Sequence, residues 1–171
     1  DLLDLLRNNE KEYIGVVNKI SGDAGLGDAA DFYTLGFWDE LIVISAKSGY
    51  GCRKLLKELI NKLVVIDTGK DEAEDSKEGG ISVAVVGRPN VGKSTLFNRI
   101  TGMRRAIVDP VAGSTRDRHL HPTIWRGREF EIVDTGGLFE QPETPVDEQV
   151  AAQVHVAMEE ADLICWVVDG K

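Results

Sequence analysis

Short apolar runs alternate along the chain with stretches that repeat at helical spacing. Tyr13 to Val17, Leu41 to Ile44, Ile81 to Val86 and Leu163 to Val168 are almost uninterrupted by polar residues. Such runs predict strands covered on both faces, as in a parallel sheet. Between them, Cys52 to Leu63 carries leucines at 55, 56, 59 and 63 with lysines interspersed, the pattern of an amphipathic helix. Leu96 to Ile100 and Val146 to Ala161 read as further helices, Asp28 to Leu35 as a short one, and the leucines at 2, 3, 5 and 6 as the last turns of another. His119 to Trp125 and Glu129 to Val133 alternate instead, predicting two strands joined by an Arg126-Gly127-Arg128 turn. Strands interleaved with helices predict an α/β fold whose open sheet binds ligands at its strand ends.

Two stretches break the pattern. From Asp67 to Gly80 hydrophobic residues nearly vanish while Asp71, Glu72, Glu74, Asp75 and Glu78 crowd together, which predicts a solvated, self-repelling linker. Its span, taken as residues 64–80, separates a first half, 1–63, from a second, 81–171. Met103 to Asp117 is polar and arginine-rich and is expected to be a long loop.

Composition narrows the reading. The chain has 171 residues and a net charge of -9, which suits one soluble domain and argues against direct nucleic-acid binding through a broad basic face. Cys52 and Cys165 lack metal-ligand spacing, so two buried thiols in a reducing cytoplasm are expected, without disulfide or metal. No apolar run is long enough to cross a bilayer and Asp1-Leu2-Leu3-Asp4 does not read as a signal peptide, so no membrane partner is expected. His119 and His121 fall on one face of a strand, but without a third ligand nearby they read as exposed strand histidines.

The chemistry is concentrated after Val86. Gly87-Arg88-Pro89-Asn90-Val91-Gly92-Lys93-Ser94-Thr95 has the spacing of a phosphate-binding loop between a strand and a helix. Gly87 and Gly92 permit backbone angles that turn successive amides, including that of Val91, around a phosphate. Lys93 would neutralise the β and γ phosphates and the Ser94 hydroxyl would ligate magnesium. The helix beginning there adds the positive end of its dipole. Downstream, Asp134 at a strand end is placed like a carboxylate that holds magnesium through water, Gly137 can offer its amide to a γ phosphate, and Thr115 could complete the magnesium shell from its loop.

With these motifs the sequence resembles the translational GTPase-like switch superclass, and more narrowly the first GTPase domain of the EngA family, also called Der. The residues that carry the resemblance are the phosphate loop, Ser114-Thr115-Arg116-Asp117-Arg118, Asp134-Thr135-Gly136-Gly137-Leu138, Ala161-Asp162-Leu163 and Val167-Val168-Asp169-Gly170. It implies a three-layer P-loop G-domain fold, a mostly parallel six-stranded sheet with helices on both faces, binding GTP or GDP with magnesium and hydrolysing GTP. Lys93, Asn90, Thr115 and Gly137 would serve the reaction, and Ser94, Thr115 and Asp134 the magnesium ion. Asn18-Lys19 and Ser45-Ala46-Lys47 would recognise guanine, the Ala46 amide meeting its carbonyl oxygen. Asn90 would help to hold a potassium ion, and a large ribosomal subunit would be engaged through domains outside this chain.

The chain departs from that family in three respects. Its base-recognition motifs precede the phosphate loop, which is expected either of a circularly permuted single domain or of a segment joining two tandem domains. The permuted reading is preferred here, since every strand occurs once. A flexible linker of this length reaches about 20 to 25 Å, enough to join the halves, and Asp1 and Lys171 should then lie near one another beside the strand ending at Asp169. Ser21 stands where the base motif ends in aspartate, so low nucleotide affinity is expected unless Asp23 reaches in. Leu138 replaces a water-orienting glutamine, so slow intrinsic hydrolysis is expected. These changes leave open an alternative, a nucleotide-gated binding module with little or no hydrolysis; an ATPase or small-molecule kinase is disfavoured by the base motifs.

Overall fold

The centre of the sheet is β6, Leu163–Asp169. Its sequence, LICWVVD, supplies large apolar side chains to both faces, and Leu163 to Val167 are all buried. In this computed structural model, which describes residues 11–21, 32, 41–69, 80–102, 120–135 and 145–170, β6 is bordered by strands from opposite sides of the acidic linker. On one side it pairs in parallel with β1, Glu12–Asn18, from Glu12↔Leu163 to Asn18↔Asp169. On the other it pairs in parallel with β3, Ser82–Val86. With β2, Leu41–Val43, β4, Leu120–Trp125, and β5, Arg128–Asp134, these form one six-stranded sheet in the order β2-β1-β6-β3-β5-β4.

Among the described residues only the β4–β5 pairing is antiparallel. Its turn consists of Arg126 and Gly127, with φ of 49° and 79°, while Arg128 already pairs with Trp125. The expected three-residue turn is therefore a two-residue one, because two successive left-handed residues match the twist of the flanking strands. The Arg126 guanidinium lies 4.6 Å above the Trp125 ring. Pro122 is accommodated in β4 because that strand forms the sheet edge.

Side-chain alternation along the buried strands builds a core on each face of the sheet. Val83 and Val85 of β3 and Cys165 and Val167 of β6 pack in one cluster with α1, Cys52–Gly69, and α2, Lys93–Gly102. Their neighbours Ala84, Val86, Ile164 and Trp166 point the other way, onto Val154 and Met158 of α3, Pro145–Glu160. The expected layered α/β arrangement, helices on both faces of a mostly parallel sheet, is thus realised. Pro145 opens α3 at a position where its missing N–H costs nothing.

Helix α1 corrects the linker boundary. It continues through residues 64–69, because Ile66 extends the series Leu59 and Leu63 and packs against the same core. The acidic run 71–78 lies outside the described residues, as do Asp1, Lys171, the short helix expected at 28–35 apart from Phe32, and the loop 103–117. Both cysteines are buried free thiols. Burial pushes the Cys165 thiol up to about 12, and it raises Cys52 too, against a smaller lowering by Arg99. His121 is exposed and meets the Phe97 ring edge-on at 4.9 Å, whereas His119 lies outside the described residues.

Candidate functional site: a phosphate loop bolted to a base-recognition loop

The phosphate loop leaves β3 after Val86 and enters α2 at Lys93. Gly87, Asn90 and Gly92 have φ of 154°, 65° and 93°, so the chain turns through the left-handed region where the motif spacing requires it. Val91 is buried and holds the loop to the core, while Asn90, Ser94 and Thr95 are exposed. Lys93 is buried, and its Nζ donates to the carbonyls of Gly87 at 3.0 Å and Arg88 at 2.9 Å. The cation is thereby folded back onto carbonyls of its own loop, from the first residue of α2.

The residues expected to recognise the base, Asn18-Lys19 and Ser45-Ala46-Lys47, come from the other side of the linker, at the ends of β1 and β2. Asn18, 2% exposed, donates from Nδ2 to the Val91 carbonyl at 2.8 Å and accepts at Oδ1 from the Ala46 amide at 2.9 Å. One side chain therefore satisfies a carbonyl of the phosphate loop and an amide of the Ser45-Ala46-Lys47 turn, which also fixes the amide's orientation. Gly92 makes this approach possible, since a Cβ there would lie 2.4 Å from Asn18 Nδ2. Ser45 is buried and braces its own turn, its carbonyl accepting from the Gly49 amide at 2.8 Å and its amide donating to the Tyr50 carbonyl at 2.9 Å.

Two residues expected at the base, Ala46 and Lys19, make contacts within the protein. The Ala46 amide, expected to face a guanine carbonyl, is engaged by Asn18 Oδ1, the acceptor that the buried Asn18 brings closest. Among the described residues no acceptor is bonded to the Lys47 amide, which is the donor this turn offers outward. Lys19, with φ of 70°, directs its ammonium to Asp169 Oδ2 at 2.5 Å. Both side chains remain about a third exposed, 36% and 32%. Ser21 is exposed at the site's border.

The β5 end is set by register. Asp134 pairs with Val85, two residues before Gly87, so its backbone stands beside the entrance to the phosphate loop. Thr135 locks that alignment, its buried hydroxyl donating to the Val85 carbonyl at 2.6 Å. The Asp134 side chain, Thr115, Gly137, Asp23 and Leu138 lie outside the described residues.

Sequence reasoning gave no role to Thr135, Asp169 or Arg99. Arg99, on α2, donates from Nε to the Ala46 carbonyl at 2.5 Å and from Nη2 to the Lys47 carbonyl at 2.6 Å. A lone basic residue on a helix carries no sequence signal of such a contact. Among the described residues no three His, Cys, Asp or Glu side chains gather into a metal-binding group. Among the described residues the Ser94 hydroxyl is exposed on the first turn of α2, a hard oxygen of the kind magnesium takes. Among the described residues no helix is long and apolar enough to cross a membrane.

Comparison with known proteins places this geometry in a family. Residues 82–171 match the family described as 50S ribosome-binding GTPase. The chain is 57% identical over 89 residues to GTPase Der of Gemmatimonas aurantiaca, covering 52% of this chain and 20% of that protein. With GTPase Der of Aquifex aeolicus it shares 39% identity over 157 residues, 91% of this chain and 35% of the relative. An alignment of that extent runs through both halves and the linker, so their order is the same in that relative. The chain spans about a fifth to a third of the length of these relatives. The solved G domain of the T. maritima FeoB iron transporter is 29% identical over 52% of this chain and 55% of its own, with a TM-score of 0.37. With its glycine loop, buried lysine and strand-end aspartate all inside the matched region, the chain belongs to the 50S ribosome-binding GTPase family.

Proposed function

We propose that this chain forms a single guanine-nucleotide-binding domain that hydrolyses GTP to GDP and phosphate and acts as a switch. The observation that carries the reading is the double engagement of Asn18, which joins a phosphate loop to a base-recognition turn at hydrogen-bond distances of 2.8 and 2.9 Å. A turn that merely linked a strand to a helix would need no such connection. The halves before and after the acidic linker close one sheet through β1 and β6, which supports a domain in permuted order. The longer A. aeolicus relative carries the two halves in the same order, which a segment joining two tandem domains would also give.

In this reading the amides of Gly87, Val91 and Gly92 and the Lys93 ammonium bind the phosphate tail, with Thr95 behind them on the first turn of α2. Asn18, Lys19 and the Ser45-Ala46-Lys47 turn hold the base, the Lys47 amide facing its carbonyl. Ser94, Thr115 and Asp134 would hold magnesium, which when bound offsets the charge of the phosphates. Asn90 is exposed at the loop tip and makes no hydrogen bond among the described residues, so its side chain is available to a potassium ion. Lys93 stabilises charge developing on the transferred phosphoryl group, and the Gly137 amide assists it. Catalysis is positioning and charge neutralisation, without a covalent intermediate. The large ribosomal subunit is the proposed partner, through further domains, and the cytoplasm the proposed location.

Titration with GDP, GTP and ATP, followed by phosphate release from GTP, tests the reading. Uptake of GDP and GTP with much weaker ATP binding is expected, and turnover faster in potassium than in sodium buffer. Failure to take up either guanine nucleotide would overturn it, and equal rates in the two salts would remove potassium.

A further inference from the structure

We propose that Arg99 is a positioning residue for base recognition: from the phosphate-loop helix it grips the Ala46-Lys47 turn by two adjacent carbonyls and so aims the donor of that turn. This rests on the guanine-nucleotide reading above. The contacts are a planar fork of charge-assisted hydrogen bonds, Nε to Ala46 O at 2.5 Å and Nη2 to Lys47 O at 2.6 Å. Such a fork fixes orientation as well as distance.

The geometry makes the consequence specific. The Ala46 carbonyl and the Lys47 amide belong to one trans peptide, so they point in opposite directions. Drawing the carbonyl toward α2 therefore turns the amide away from α2, as a donor for a ligand. Asn18 fixes the preceding amide from the other side. Gly49 leaves room for the guanidinium, because a Cβ there would stand only 3.0 Å from Arg99 Nη1. Arg99 follows Lys93 by six residues on the same helix, about 9 Å along its axis. One rigid element thus carries both the phosphate cation and the clamp on the base loop.

Calorimetry of the wild-type chain, Arg99→Ala and Arg99→Lys, each with GDP and with inorganic pyrophosphate, separates positioning from general stabilisation. In Arg99→Ala, GDP affinity should fall about tenfold, with pyrophosphate affinity unchanged. Arg99→Lys, which keeps the charge but not the fork, should recover part of the loss. Unchanged GDP affinity, or equal losses for both ligands, would overturn the proposal. If Arg99→Ala does not fold, Arg99→Lys decides by the same comparison, a loss confined to GDP supporting the role and an equal or absent loss refuting it. A wild-type chain that binds pyrophosphate but gains nothing from the guanosine would instead sink the nucleotide reading on which the proposal stands.

Discussion

Asn18 occupies the space that a side chain at position 92 would need: its Nδ2 lies 2.4 Å from where a Cβ on Gly92 would stand. The phosphate loop and the base-recognition strand are fitted to one another at that point, and the fit is checkable from either side.

Gly92→Ala places a methyl group against Asn18 and forces alanine to adopt a φ of 93°. We expect a loss of about 1 to 3 kcal/mol in denaturant unfolding, together with loss of GDP binding in calorimetry. Asn18→Ala should cost a similar amount, about 1 to 3 kcal/mol, by leaving the Val91 carbonyl and Ala46 amide unpaired. Stability equal to wild type in both variants would mean that the junction does not hold the site.

Lys93→Met keeps an apolar stem but removes the ammonium. Its donors to Gly87 and Arg88 are lost, yet the loop glycines and the buried Val91 remain. GDP affinity should fall on the order of a hundredfold, the loss expected when charge-assisted contacts to phosphate disappear. Undiminished GDP affinity would show that phosphate is held elsewhere.

Asp169→Asn removes the ion-pair partner of Lys19. Because both side chains are partly exposed, 36% and 32%, the stability change should be small, about 0 to 1 kcal/mol by urea unfolding. A much larger loss would indicate that the Lys19–Asp169 pair is a structural fastening of the β1–β6 end.

The Cys165 thiol is held up at about 12 by burial, against an ordinary value of 9.0. The folded chain therefore retains a proton that the unfolded chain releases. The contribution is fully present below pH 9 and is lost as the pH rises toward 12. Unfolding free energy measured across that window should fall with pH, less steeply in Cys165→Ala. In the native chain at neutral pH Cys165 should resist a thiol reagent until the protein unfolds. Rapid labelling of Cys165 would contradict its burial in the centre of β6.

Several features were legible because they are local. The run Ser82 to Val86, the glycine spacing after it and the period of Leu55, Leu59 and Leu63 each specify a conformation within a few residues. Boundaries were less legible. Helix α1 outran its expected end because Ile66 finds the core, and the hairpin turn lost a residue because Arg128 pairs with Trp125. Those outcomes depend on what lies opposite the residue.

The sequence by itself determined the alternation of strands and helices and the glycine spacing that follows β3, since backbone preference and hydrophobic period act over neighbouring positions; Asn18-Lys19 and Ser45-Ala46-Lys47 entered as candidates through the family resemblance alone. Tertiary structure alone decided how they meet. Asn18 reaches Val91 across 73 residues, Arg99 reaches Ala46 across 53, and Lys19 reaches Asp169 across 150. Contacts between such distant positions exist only after β1 has paired with β6, when buried polar groups must be satisfied by whatever partners the sheet has brought beside them.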